Sequence, residues 1–222
     1  FNLSDWGQSA LQDDVRWQFG LPPAGNANFA WMQHMIHHLS PKGRLGLVLA
    51  NGALSSQSGG EGDIRKNIID NDLVEGIIAL PDKLFYSTGI PVSLWIISRR
   101  KAQPGQILFV DARKMGTMVT RAVRQLTEDE IGEIAQVFSD FRCGMFTPVQ
   151  GFSAACPLSE VAAQDYILTP GRYVGIAEEE GDGVPFEEKM AQLTTSLSQL
   201  FAESREQEEE IRKQLRTIGW EI

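Results

Sequence analysis

Three apolar runs, and the lengths of chain that join them, constrain this sequence most. Leu45-Gly46-Leu47-Val48-Leu49, closed by Asn51-Gly52, is a continuous apolar run of the kind found in strands covered on both faces. Residues 74–80, cut by Pro81, predict a second strand, and Val92-Ser93-Leu94-Trp95-Ile96-Ile97 a third. The connection over residues 82–91 is too short for the helix that a parallel crossover needs. The second and third strands are therefore expected to run antiparallel within an otherwise parallel sheet. Residues 107–110, after Pro104-Gly105, predict a fourth strand, and the pattern as a whole is α/β.

Helices separate these runs. Phe29, Met32, Ile36 and Leu39 share one face of a helix over residues 28–39, which Pro41-Lys42-Gly43 ends. Ser55-Ser56-Gln57-Ser58-Gly59-Gly60-Glu61-Gly62 has no periodicity and reads as a flexible loop, with Asp63 capping a short helix over residues 64–69. Thr127-Glu128-Asp129-Glu130 is a capping box, and Ile131, Ile134, Phe138 and Phe141 form the expected buried stripe of the helix it opens. After Gly144 the pattern turns irregular, and Glu178-Glu179-Glu180-Gly181-Asp182-Gly183 looks like an exposed linker. Pro185 then suits the first position of a long helix. Phe186, Met190, Leu193, Leu197, Leu200, Ser204, Gln207, Ile211, Gln214 and Ile218 fall on its 4-3 repeat, apolar early and polar later. About 32 residues of helix reach ~48 Å, more than a small domain needs to cover itself, so the helix is expected to meet a partner.

With 42% hydrophobic and 22% charged residues, a disordered or fibrous chain is excluded. No apolar run is long enough to cross a bilayer, and the start lacks the basic and apolar regions of a signal peptide. Cys143 and Cys156 are too few for a disulfide framework, which suits a reducing cytoplasm, and both are expected to be small buried hydrophobes. The net charge of -9 is uneven: residues 1–126 carry +3 and residues 127–222 carry -12. A phosphate-facing surface on the first part is thus compatible with an acidic average. The first residue is Phe, as expected of a sequence that starts inside a longer polypeptide.

Three constellations could carry chemistry. His34 and His38, with His37 between them, have the spacing of a helical metal pair, but without companion carboxylates or cysteines a plain helix surface is the better reading. The Gly-rich run before Ile64 lacks the Lys-Ser/Thr of a nucleotide loop, so a mobile loop is favoured over a phosphate site. No Gly-x-Ser-x-Gly elbow supports a serine hydrolase. Leu84-Phe85-Tyr86-Ser87-Thr88-Gly89-Ile90-Pro91 lies beyond the C-terminal end of a sheet strand, where open α/β sheets bind ligands. Its aromatic pair either lids the core or stacks on a planar ligand such as a base, and composition leaves both open.

Phe1-Asn2-Leu3-Ser4-Asp5-Trp6, Gly25-Asn26-Ala27-Asn28-Phe29-Ala30-Trp31, Gly43-Arg44-Leu45-Gly46-Leu47-Val48-Leu49-Ala50-Asn51-Gly52, the loop over residues 85–91 and Arg172-Tyr173, taken in order, resemble the modification subunits of type I restriction-modification systems. These are adenine-specific DNA methyltransferases, and the likeness runs over about residues 1–175. The resemblance implies the C-terminal half of a doubly wound, Rossmann-like methyltransferase sheet: strands five to seven, the seventh antiparallel, followed by a helical tail. The family's signature is Asn-Pro-Pro-Phe, and Phe1 matches its last residue. In that chemistry the Asn side chain and a Pro carbonyl accept hydrogen bonds from adenine's exocyclic amine, while the aromatic residue stacks on the flipped base. By the same resemblance, Phe85, then Tyr86, packs on the other face of the base, with Gly89 and Pro91 completing the base- or DNA-contacting loop.

The methyl donor implied is S-adenosylmethionine, whose binding motifs would precede Phe1, so no cofactor-binding residue is assigned here and the chain alone is expected to be inactive. The implied partners are DNA, a specificity subunit and a restriction subunit. Residues 1–126 would be a partial catalytic domain, 127–180 a helical and irregular extension, and 181–222 a docking helix. The competing reading is a docking module without catalytic function.

Overall fold

A computed structural model describes residues 3–176 and 186–220. They fall into two units, one within residues 1–178 and one within 179–222. The linker expected at residues 178–183, and Pro185, lie outside the described residues.

The first unit is built on a five-stranded sheet of order β1-β3-β2-β4-β7, with β1 Arg44–Ala50, β2 Val74–Ala79, β3 Val92–Ser98, β4 Gln106–Asp111 and β7 Ser153–Pro157. As the short connection required, β3 runs antiparallel to β2, and it pairs antiparallel to β1 on its other side. β2 and β4 are parallel. The remainder of the sheet is less parallel than expected, because β7 joins β4 antiparallel in a region where the sequence shows no pattern. The reason is local: Ser153-Ala154-Ala155-Cys156-Pro157 has weak strand propensity and is held by its ladder to β4, which runs from Val110↔Ser153 to Gln106↔Pro157. A short helix, α4 Leu158–Ala163, follows directly.

Alternate strand residues serve the two faces. Ile77, Trp95, Ile97, Ile107 and Phe109 pack under α1 Asn28–His38 and α2 Glu61–Asp70 through Phe29, Met32, Ile36, Ile64 and Ile68. Ile78, Ile96, Leu108 and Val110 pack under α3 Glu128–Cys143 through Phe141, with Ile134 and Phe138 partly buried beside them. Trp95 is fully buried, edge-on to Phe29 at 6.3 Å between ring centroids, and its Nε1 donates to Ser93 Oγ at 3.2 Å. Burying each such side chain is worth about 1.5–3 kcal/mol, which makes this face of the sheet the main stabilising layer.

Four expectations are corrected. Within this chain β1 is the outermost strand of the order and only Leu49 in it is buried, so cover on both faces is not seen here. α2 begins at Glu61 rather than Ile64; Gly60, with φ of 84°, occupies its N-cap, and Asp63 sits inside the first turn without capping it. Only Gly takes that left-handed conformation without strain. Ile131, in the first turn of α3, is exposed at 47% and borders unfilled space instead of the packed core. An apolar hollow of about 320 Å³ lined by Leu80, Leu94, Ile96, Ile131 and Phe138 remains open beside it. Cys143 is exposed at the end of α3, whereas Cys156 is buried and its thiol is pushed up to about 12 by desolvation.

The capping box of α3 forms as read. Thr127 Oγ1 accepts from Glu130 N at 3.2 Å and Glu130 Oε2 from Thr127 N at 2.8 Å, a pairing worth about 0.5–2 kcal/mol. The second unit is α5, Phe186–Thr217, in which no residue is buried. Its polar half is laced by Glu208–Arg212 and Glu210–Gln214 contacts, each 2.7 Å, which favour a solvated helix face.

Candidate functional site

β1, β2 and β4 point the same way, so their C-terminal ends share one edge of the sheet. Ala50 pairs with Val92, Ala79 with Ser93, and Ala79 with Asp111. Three connections therefore emerge side by side: residues 51–60 after β1, 80–91 after β2 and 112–127 after β4. In open α/β sheets this is the ligand-binding edge.

The opposite edge is closed by paired charges. Glu75, fully buried at the bulge in β2, accepts from Arg44 Nε at 2.7 Å and Ala102 N at 3.2 Å, with Arg142 Nε 3.5 Å away. Lys101 Nζ is 2.6 Å from Asp72 Oδ1, although burial lowers the lysine's pKa. These groups satisfy one another, as buried charges must.

The aromatic loop is held at its base and open at its tip. Leu80 N donates to Val92 O at 2.8 Å and Asn51 N to Pro91 O at 3.4 Å, tying the loop to β3 and to the end of β1. Pro81 is buried, Lys83 takes a left-handed φ of 60°, and Phe85 bridges Thr88 across a narrow turn. Beyond that turn the side chains face solvent: Phe85 is 37% and Tyr86 95% exposed, and Gly89, Ile90 and Pro91 are exposed as well. Tyr86 thus stands almost wholly in solvent, while Phe85 is only partly open. Gly89 has no positive φ, and an added Cβ would meet only the Lys83 side chain at an ordinary contact distance of 3.7 Å, so its place in the loop is not demanded by backbone geometry. Phe1 lies outside the described residues.

The run over residues 55–62 is more ordered than a mobile loop. It follows a short 3-10 turn, Asn51–Leu54, contains a second, Ser58–Gly60, and is stapled by Arg65, which is fully buried. Arg65 donates from Nη1 to Ser56 O at 2.7 Å and from Nε to Tyr166 O at 2.8 Å. Glu61, also buried, accepts from Ser56 Oγ. Desolvation lowers the Arg65 pKa, yet the three carbonyl contacts, with Ala53 O the third, hold the guanidinium in place. Sequence periodicity missed this residue because an Arg facing the core reads as a break in the apolar stripe.

The histidines join a different surface. Arg16 Nη1 lies 2.8 Å from His34 Nδ1, and since guanidinium only donates, His34 is the acceptor and is neutral. Burial and the neighbouring His38 both lower its pKa. Among the described residues no group of three or more His, Cys, Asp or Glu is placed to hold a metal ion. No helix of the described residues is long and apolar enough to cross a membrane.

Apolar periodicity does not mark a small hairpin, β5 Thr117–Met118 with β6 Arg124–Gln125, that stands beside the aromatic loop. The signal was present in Thr120, whose hydroxyl accepts from the Ala122 and Val123 amides at 3.2 and 3.1 Å and closes the turn.

A mixed sheet with helices on both faces and an exposed loop at its C-terminal edge defines an α/β protein with an open ligand-binding edge. The family model described as N-6 DNA Methylase matches residues 1–182, and the chain belongs to that family. It is 49% identical, over its whole length, to the type I restriction enzyme HindI methylase subunit of Haemophilus influenzae, and 40% identical over 99% of its length to the MjaIX methylase subunit of Methanocaldococcus jannaschii. It covers 50% and 41% of those proteins, so it spans about half the length of the relatives it matches. Among solved structures, the methyltransferase subunit of a type I restriction-modification system from Streptococcus thermophilus superposes with a TM-score of 0.69 at 27% identity, over 77% of this chain and 36% of that one. The EcoKI M protein shares the fold, with a TM-score of 0.57 at 18% identity over 86% of this chain and 45% of that one.

Proposed function

We propose that this chain is the base-contacting half of a modification subunit of a type I restriction-modification system, which transfers a methyl group from S-adenosylmethionine to the exocyclic amine of adenine in DNA. The observation that carries this reading is the exposed Phe85-Tyr86 pair at the C-terminal edge of the sheet. A planar ring on a loop fixed at both ends is a ready stacking platform for an extruded base. Phe85 takes one face of adenine and Phe1 the other, with Tyr86, Gly89 and Pro91 along the DNA. Stacking from both faces holds the amine in line for attack and excludes water from it.

The described residues do not fit the methyl donor itself. A nucleoside cofactor needs a Gly-rich strand-to-helix turn and a carboxylate facing its ribose. The turn into α2 has the glycines, but Glu61 there is 3% exposed and turned inward to Ser56. We therefore assign the holding of S-adenosylmethionine to the rest of the full-length subunit, and no step of the reaction to residues of this chain through it. Residues 1–126 form the catalytic part, 127–180 extend it, and the helix within 181–222 docks to the specificity subunit, with the restriction subunit joining the cytoplasmic complex.

Residues 1–222 on their own are accordingly expected to give no heat of S-adenosylmethionine binding at micromolar concentrations by calorimetry, and no transfer of tritiated methyl to DNA. Micromolar binding by this chain alone would move the cofactor site into it and overturn the assignment.

A further inference from the structure

The hairpin after β4 has a charge and a placement that the base-stacking loop does not explain. Residues 112–127 contain Arg113, Lys114, Arg121 and Arg124 and no acidic residue, in a chain whose net charge is -9. Two of these cations are engaged within the fold. Arg113 forms a bidentate pair with Asp111, at 2.8 and 2.6 Å. Arg124 is half-buried and ties three pieces together. Its amide donates to Lys83 O at 2.8 Å, its Nη1 to Met115 O at 3.2 Å and Gly116 O at 3.0 Å, and its Nε faces Asp82 Oδ1 at 3.4 Å. Gly116 N in turn donates to Glu130 Oε1 at 2.6 Å, so the base of the hairpin rests on the capping box of α3. The backbone hydrogen bonds from this arm thus reach both the aromatic loop and a rigid helix.

The other two cations are left over. Lys114 and Arg121 are exposed, and among the described residues no ion pair engages them, nor Lys83 on the adjoining loop. Met118 and Val119 expose 42% and 60% of their surface along the same arm. Free cations carried on a braced arm beside an aromatic platform suit a polyanion that lies across the platform, and an acidic protein surface would have no use for the platform itself.

We propose that the hairpin formed by β5 and β6 is an arm that holds the phosphate backbone of DNA next to the extruded base, with Arg121 and Lys114 as the phosphate contacts and Arg124 fixing the arm to the aromatic loop. This rests on the reading of the loop as a base platform. Phosphate contacts of this kind position the duplex without reading its sequence.

The test uses the full-length subunit assembled with its specificity subunit, and measures the Kd for a duplex containing the target site by fluorescence anisotropy across a salt series. Arg121→Ala and Lys114→Ala should each weaken binding about 3- to 10-fold near physiological salt and lower the log-log salt slope by about one. Arg121→Lys should restore most of the affinity, which a merely misfolded arm would not allow. Unchanged Kd and slope in both alanine variants would overturn the proposal, as would loss of the specificity subunit from the complex with DNA affinity intact, since the arm would then face protein. If the wild-type complex methylates DNA and the variants bind as it does, only the arm fails; if the wild type transfers no methyl group, the platform reading fails first.

Discussion

Phe85→Ala in the full-length subunit is expected to lower methyl transfer to DNA by about 10- to 100-fold. Stacking on a base is worth about 1–3 kcal/mol by alanine substitution, and each 1.36 kcal/mol is about tenfold in rate. Phe85 is more than one-third exposed and belongs to neither hydrophobic layer, so its removal leaves the core untouched. Thermal unfolding should therefore stay within about 1 °C of wild type, in line with the small effects of surface substitutions. Phe85→Trp keeps the stacking face and should retain most of the activity. Full activity in Phe85→Ala would reduce the loop to an ornament of the sheet edge. A loss of activity accompanied by early unfolding would make it structural instead.

The second large effect concerns α5. Phe186, Met190, Leu193, Leu197 and Leu200 line one seam and are each at least 42% exposed, and the helix buries none of its residues. Five large apolar side chains at about 1.5–3 kcal/mol each can offset the cost of association with a second helix. Ser204, Gln207 and Gln214 on the later seam cannot add much. Deleting residues 185–222 from the full-length subunit should thus abolish co-purification with the specificity subunit while S-adenosylmethionine binding by the subunit persists. The paired substitution Leu193→Asp with Leu197→Asp should do the same without shortening the chain, because each buried carboxylate would lack a partner. Retained co-purification in both cases would place the docking surface elsewhere.

Local signals made part of this legible. The ten-residue connection between Pro81 and Val92 dictated that β2 and β3 run antiparallel, and the structure has them so. Thr127 and Glu130 announced α3 because a capping box is satisfied by side chains adjacent in sequence. What sequence periodicity hid depends on distant partners. β7 is a strand because β4 offers it a ladder, and Arg65 is a core residue because carbonyls at Ser56 and Tyr166 converge on it. At the site, the aromatic loop stood out by composition, whereas the hairpin that braces it joins Lys83 to Arg124 across some forty residues of chain.

The central claim is that this sheet edge presents adenine's exocyclic amine for methylation. It is tested most directly by digesting DNA from cells that express the full-length subunit with its specificity subunit, and identifying the methylated nucleoside by mass spectrometry. The account predicts N6-methyldeoxyadenosine above the level of cells lacking the subunit, and its loss to about one-tenth or less when Phe85 is replaced by Ala at limiting expression. A methyl group found on cytosine, or no difference between cells with and without the subunit, would contradict it.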